Sequence, residues 1–340
     1  MAVDTIEEKL ATRHAQSQLE AKLAFYKRIG LIGLIIFAVA LPFLVSDFRT
    51  FQFTRVLYIS IAVLGLNILS GYNGQFSLGH GAFIALGAYV AAIMMDRWGV
   101  PYYLTIIPAG LIGFIFGFLI GLPARRLEGL YLALATFGLA LATPQILKKF
   151  EIITMGVQGI VVDKPEVPFG LPISQDQWLY FFTLMILLVL FWAARNLLRA
   201  RTGRAFVAIR DHHMAAESMG VNAGFYKPLA FAIGGAYAGV AGALATITIQ
   251  FVAPDSFGVF LSITLLVGSV IGGIASIGGA IFGGIAIVFI PNVAEEISKA
   301  APWAIYGVIL ILFMYAMPSG IMGFINMLWR GYVKRLLTRT

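Results

Sequence analysis

The chain of 340 residues contains no cysteine, and charged residues make up only 12% of it. The first absence excludes disulfides and thiolate metal sites. The second sets the chain apart from soluble globular proteins, in which roughly a quarter of residues are charged. Apolar residues reach 60%, and the mean hydropathy is +0.89. Strand-length alternation of the barrel type is missing, which leaves a helical bundle as the way to satisfy backbone polar groups in lipid. Acids and histidines are scarce inside the apolar runs. That weighs against ion-coupled carriers, which keep intramembrane relays. No Gly-x-x-x-x-Gly-Lys-Ser/Thr phosphate loop occurs, so any ATP hydrolysis belongs to another chain. No nucleophile or metal constellation is legible, because His212-His213 and Glu295-Glu296 diverge on a helix.

What remains is a series of apolar runs near the 20 or so residues that a bilayer core demands. Ten spans are expected: Ile29–Val45, Arg55–Ser70, Gln75–Met95, Tyr103–Leu122, Leu127–Leu147, Trp178–Leu198, Tyr226–Gln250, Val259–Ile274, Ile277–Pro291 and Trp303–Met317. The pair flanking Ala275-Ser276 is read either as two spans or as one broken element. The first run is preceded by a long mixed-charge lead and is read as a retained span.

The net charge of +8 tests this count. Ten spans put 17 of the 24 Lys and Arg on the side that holds both termini, including Arg125, Arg126, Arg195, Arg199, Arg201, Arg204, Arg210 and Lys227. The positive-inside rule then makes that side cytoplasmic. The excess charge is thus a topology signal, and binding to nucleic acid is not expected. The organisation expected is a polar tail (1–28), a membrane domain (29–318) and a basic cytoplasmic tail (319–340). An external segment (148–177) and a cytoplasmic loop (199–224) interrupt the domain.

Glycine is abundant, with 37 residues. Gly113, Gly117 and Gly121 share a helix face, as do Gly235 and Gly239, Gly268 and Gly272, and Gly279 and Gly283. Such stripes let helix backbones approach closely in lipid. The stretch from Asn67 to His80 is the polar exception at membrane depth. Asn73-Gly74 is a turn signal, and Asn73, Gln75, Ser77 and His80 are candidates for lining a pathway. The alternative is that they satisfy one another across a helix junction.

The loop Arg199–Asn222 is basic, free of proline, and holds the helix-favouring run Met214–Met219 before Gly220. A short helix between two spans can dock into a partner's groove. Ala215 and Ala216 allow close approach, Met219 supplies adaptable apolar contact, and charges orient the encounter. A basic loop lying at lipid headgroups fits equally well.

This loop resembles the Glu-Ala-Ala-type coupling loop of ABC importer permeases, with Ala215, Ala216 and Gly220 at matching positions and Met214 replacing the leading Glu. Four other blocks extend the likeness. They are Gly71-Tyr72-Asn73-Gly74-Gln75-Phe76-Ser77-Leu78-Gly79-His80-Gly81-Ala82-Phe83, Leu127 to Thr136, and Arg201-Thr202-Gly203-Arg204-Ala205 with the later Pro254-Asp255-Ser256-Phe257. Over roughly Phe53 to Pro291 the chain is similar to LivM-type permeases of the branched-chain amino-acid (hydrophobic amino-acid) ABC importer family. It departs from them at Thr154–Gly159 and in the first 28 residues.

The resemblance implies a type II-like bundle in the bacterial inner membrane that forms half of a translocation pathway and is not itself an enzyme. Implied partners are a LivH-type permease subunit, two ATP-binding cassette ATPase subunits, a periplasmic solute-binding protein and membrane lipid. No cofactor is implied in this chain, because the partners bind ATP. The coupling contact expected is Arg204, Ala208, Ile209, Arg210, Asp211, Ala215, Ala216, Met219 and Gly220. Solutes left open are branched-chain amino acids, urea, amides and aromatic acids. The other class of function is a passive channel or an ion-coupled carrier for a small polar solute, which needs no ATPase.

Overall fold

The computed structural model describes residues 30, 33–127, 129–168, 172–297, 299 and 302–337. The expected polar tail, and part of the first expected span, lie outside the described residues. The chain divides into two units, residues 1–50 and 51–340. The first holds helix α1 (Gly33–Leu44) and the opening turn of α2, where the Thr50 hydroxyl donates to the Ser46 carbonyl at 3.2 Å.

The second unit is an all-α bundle. Its helices are α2 (Asp47–Leu66), α3 (His80–Trp98), α4 (Ile106–Ala124), α5 (Gly129–Lys149), α6 (Gln175–Arg199), α7 (Arg201–Ser218), α8 (Ala223–Ile249), α9 (Val259–Gly272), α10 (Gly279–Ile297), α11 (Pro302–Ala316) and α12 (Gly320–Leu337). Among the described residues, nine helical segments are long and apolar enough to cross a membrane. They follow the expected second to tenth spans with shifted ends. The first of them starts at Asp47, eight residues before the expected Arg55, whereas α11, Pro302–Ala316, falls on the expected Trp303–Met317 and is followed by α12. The pair around Ala275-Ser276 is two helices, α9 and α10.

Local chemistry sets several ends. Ser174 caps α6 in a reciprocal box: its hydroxyl accepts from Gln177 N at 3.3 Å, and Gln177 Oε1 accepts from Ser174 N at 3.0 Å. Asn222 caps α8 by accepting from Phe225 N at 3.1 Å. Beyond α8, β2 (Phe251–Val252) pairs antiparallel with β1 (Ile160–Val161). This small ribbon ties the long segment after α5 to the end of α8.

The core sits around α8, of which 83% of the apolar window is buried, against 6% for Gly307–Leu328. The sequence explains why. α8 carries few large side chains, so neighbours reach its backbone from several sides. A Cβ at Gly235 would collide with the Gly113 carbonyl, one at Gly117 with the Phe231 carbonyl, and one at Gly87 with Gly239. The two expected stripes, on α4 and α8, therefore face each other. The stripes on α9 and α10 do the same, since a Cβ at Gly272 would strike Gly279 and one at Gly283 would strike Gly268. Lipid supplies no hydrophobic drive between helices, so this close van der Waals contact replaces it.

Candidate functional site

The helix in the basic loop is longer than the sequence suggests. It runs from Arg201 as α7, with a break at His212 (φ −161°, ψ 97°) that separates a first arm from a short knob. Gly220, at φ +85°, ends the knob in a backbone region that L side chains rarely adopt. Ile209 and Ala216 turn inward and cluster with Ala223, holding the knob on the first turn of α8. Ala208 packs against that cluster. Ala216 thus supports the knob from within, while Met214, Ala215, Met219 and Gly220 are exposed. Arg204 is also exposed and donates to the Arg199 carbonyl at 3.2 Å.

Arg210 joins the arm to the transmembrane core. Its Nη1 donates to the Gly71 carbonyl at 3.1 Å, and its Nε and Nη2 donate to Asp211 Oδ1 at 2.9 and 2.8 Å. Gly74, at φ +76°, lies against the Arg210 side chain, where a Cβ would sit 2.8 Å from Cγ. Only glycine lets the loop pass this close. The expected turn at Asn73-Gly74 is therefore also the contact with α7.

Asn73 and Gln75 are both buried. Gln75 Nε2 donates to Asn73 Oδ1 and to the Lys227 carbonyl, the latter at 3.4 Å. They line a cavity of about 160 Å³ with Ile209, Arg210, His213 and Lys227. Ser77 and His80 are buried elsewhere. The Ser77 hydroxyl accepts from Gly79 N at 3.3 Å, and His80 Nε2 bonds the Ala62 carbonyl at 3.1 Å. The structure thus brings Asn73, Gln75 and Arg210 together and leaves Ser77 and His80 apart from them.

Asn67, which opens the polar stretch noted in the sequence, makes a polar junction whose partners the sequence does not show. Asn67 opens a π-helical stretch, Asn67–Tyr72, that continues α2, with Asn73 N bonded to the Ile68 carbonyl at 3.2 Å. Its Nδ2 donates to the carbonyls of Gly273 and Ser276 at 3.2 and 3.0 Å. Its Oδ1 accepts from Ser269 Oγ and Ala275 N at 3.2 and 3.0 Å. One carboxamide thereby satisfies the backbone freed where α9 stops and α10 begins. Ala275 is held at φ +58° and Gly273 at φ +116°. Gly320 of α12 lies against Gly273. A lone Asn inside an apolar run was the signal, but its partners are some 200 residues away.

The opposite end of α2 is built differently. There the Lys148 ammonium meets Asp255 at 2.7 Å, linking the end of α5 to the turn before α9. A half-enclosed cavity of about 230 Å³ opens between α2, α3, α8 and α9. Among the described residues no cluster of His, Asp and Glu is placed to hold a metal.

These features can be set beside known proteins. The model of the family described as branched-chain amino acid transport system / permease component matches residues 49–317. The chain is also 31% identical over 320 residues to the high-affinity branched-chain amino acid transport system permease protein LivM of Escherichia coli, covering 87% of this chain and 75% of that protein. The chain belongs to this family. The permease is 30% identical to LivM of Salmonella typhimurium over the same shares. It is 27% identical over 296 residues to LivH of Escherichia coli, covering 78% of the permease and 91% of LivH. No solved structure matches it. It is a multi-pass protein of the inner membrane and a transport subunit.

Proposed function

We propose that this permease forms half of the pathway of an ATP-driven importer for branched-chain amino acids or a related small solute. Its other half would be a LivH-type chain, with two ATPase subunits on the cytoplasmic face and a periplasmic binding protein outside. The likeness to both LivM and LivH supports such a pair, because two chains of one family can share a pseudo-two-fold axis. The excess of Lys and Arg on the side of α7 supports cytoplasmic termini.

The observation that carries this reading is the Arg210 link between the core and the arm that carries the exposed knob. A push on the knob reaches the Gly71 carbonyl, then the π-helical stretch, then Asn67 and the junction of α9 with α10. These are discrete hydrogen-bonded contacts, suited to switching between two arrangements. Ala215, Met214 and Met219 present the docking face, and Arg204 steers acidic partner surfaces, while Arg210 is held inward by Asp211 and Gly71. Ile209 and Ala216 hold the knob in shape. Asn73 and Gln75 line the inner end of the route, and Ser77 and His80 brace the helices beside it.

Reconstitution with the partner subunits tests the reading. Ala215→Arg is expected to leave the chain folded and in the membrane, yet to abolish import coupled to ATP hydrolysis. Import by the permease pair without ATPases would instead establish a passive channel or ion-coupled carrier.

A further inference from the structure

We infer that the cavity of about 230 Å³ between α2, α3, α8 and α9 is a solute alcove. In it the aliphatic side chain of a small amino acid is buried and its carboxylate meets Arg55. The inference rests on the importer reading above and says where in this chain the solute is held.

Three observations carry it. The walls are apolar, formed by Ile59, Ala62, Ile84, Ala245, Phe257 and Leu265 among others, and Arg55 is the single charged residue lining the cavity. Arg55 is exposed. An apolar chamber with one cation at its mouth selects a ligand that is apolar at one end and anionic at the other. Size gives the second constraint. An enclosed apolar cavity of about 150 Å³ holds benzene, so a cavity half as large again takes roughly nine heavy atoms, as many as leucine has. Position gives the third. Gly71, at the α7 contact, lies 16 residues along α2 from Arg55, about 24 Å at helical rise. The alcove is therefore at the far end of the core from the knob, where a solute handed over from outside arrives. Each methylene buried favours the larger side chain, so leucine is preferred over alanine on the order of 50-fold.

The natural lack of cysteine makes the test direct. Ala245→Cys, a half-buried wall position, places a unique thiol in the alcove of the full-length chain. L-Leucine is expected to slow its maleimide labelling at least threefold. L-Alanine is expected to have little effect, and leucine protection is expected to vanish with Arg55→Gln and return with Arg55→Lys. Labelling equally fast across a leucine titration overturns the alcove. In the reconstituted importer, Ala245→Leu is expected to cut leucine uptake at least tenfold and alanine uptake less than twofold. An unchanged leucine-to-alanine ratio also overturns it. Wild-type uptake that needs no ATP counts against the importer reading, while thiol protection still decides the alcove.

Discussion

Two helix pairs in this permease are built on glycine, and they differ in what else joins them. α4 and α8 meet along an unbroken seam of backbone on backbone, from Ala109 opposite Gly239 to Gly121 opposite Pro228. α9 and α10 share an equally close contact at Gly272 and Gly279, but their junction is an irregular turn held by Asn67. A seam of glycines has one tight arrangement, and any shift leaves voids or clashes. A carboxamide holding four backbone and side-chain groups can release them and bind others. In the proposed importer the first pair would serve as a frame and the second as a hinge under polar control.

Breaking the frame gives the largest effect. Gly235→Leu would drive a side chain into the Gly113 carbonyl, and about 3 kcal/mol or more of stability is expected to be lost. Gly138→Leu is the control, since nothing lies within 4 Å of a Cβ there. Unfolding by detergent titration compares them, and equal stabilities would dissolve the distinction.

Releasing the hinge comes next. Asn67→Leu strips partners from Ala275 N and from the carbonyls of Gly273 and Ser276. A loss of about 1–3 kcal/mol is expected, together with import that falls more than stability does. An uptake assay at matched protein level separates the two. If uptake tracks the amount of folded protein alone, Asn67 is simply a staple.

Cutting the link to the knob is milder for the fold. Arg210→Met removes the bond to Gly71 from a side chain that is about one-third exposed. Stability is expected to change by no more than about 1 kcal/mol, while ATP hydrolysis and import uncouple. Smallest of all is Lys148→Ala. Its ion pair with Asp255 is solvent-facing, and about 0.5 kcal/mol or less is expected in the same titration. A larger loss would mean that the ribbon end carries part of the frame.

The frame was legible in the sequence because its signal is local. Gly113, Gly117 and Gly121 recur at the helical repeat, and only the identity of their partner stripe needed the structure. The hinge was not legible, since Asn67 and Ser276 are joined only by the fold. The knob was half legible. Its residues were found, but the inward turn of Ala216 depends on how α7 lies on Ala223, which periodicity over a few residues does not settle. The extra length of α7 back to Arg201 was hidden because its composition is that of a basic loop. The start of the second expected span moved because polar residues continue the helix before the apolar run, as at Asp47. The alcove left no motif, because its walls come from four helices and a turn.

The most direct test places spin labels on the naturally cysteine-free chain within the assembled importer, at Ile107→Cys paired with Phe225→Cys across the frame, and at Ile107→Cys paired with Ile274→Cys at the hinge. On adding ATP, the frame distance is expected to hold within about 1 Å while the hinge distance shifts by several, the scale of known helix movements. Two distances that both stay fixed, or that change by the same amount, would contradict the account.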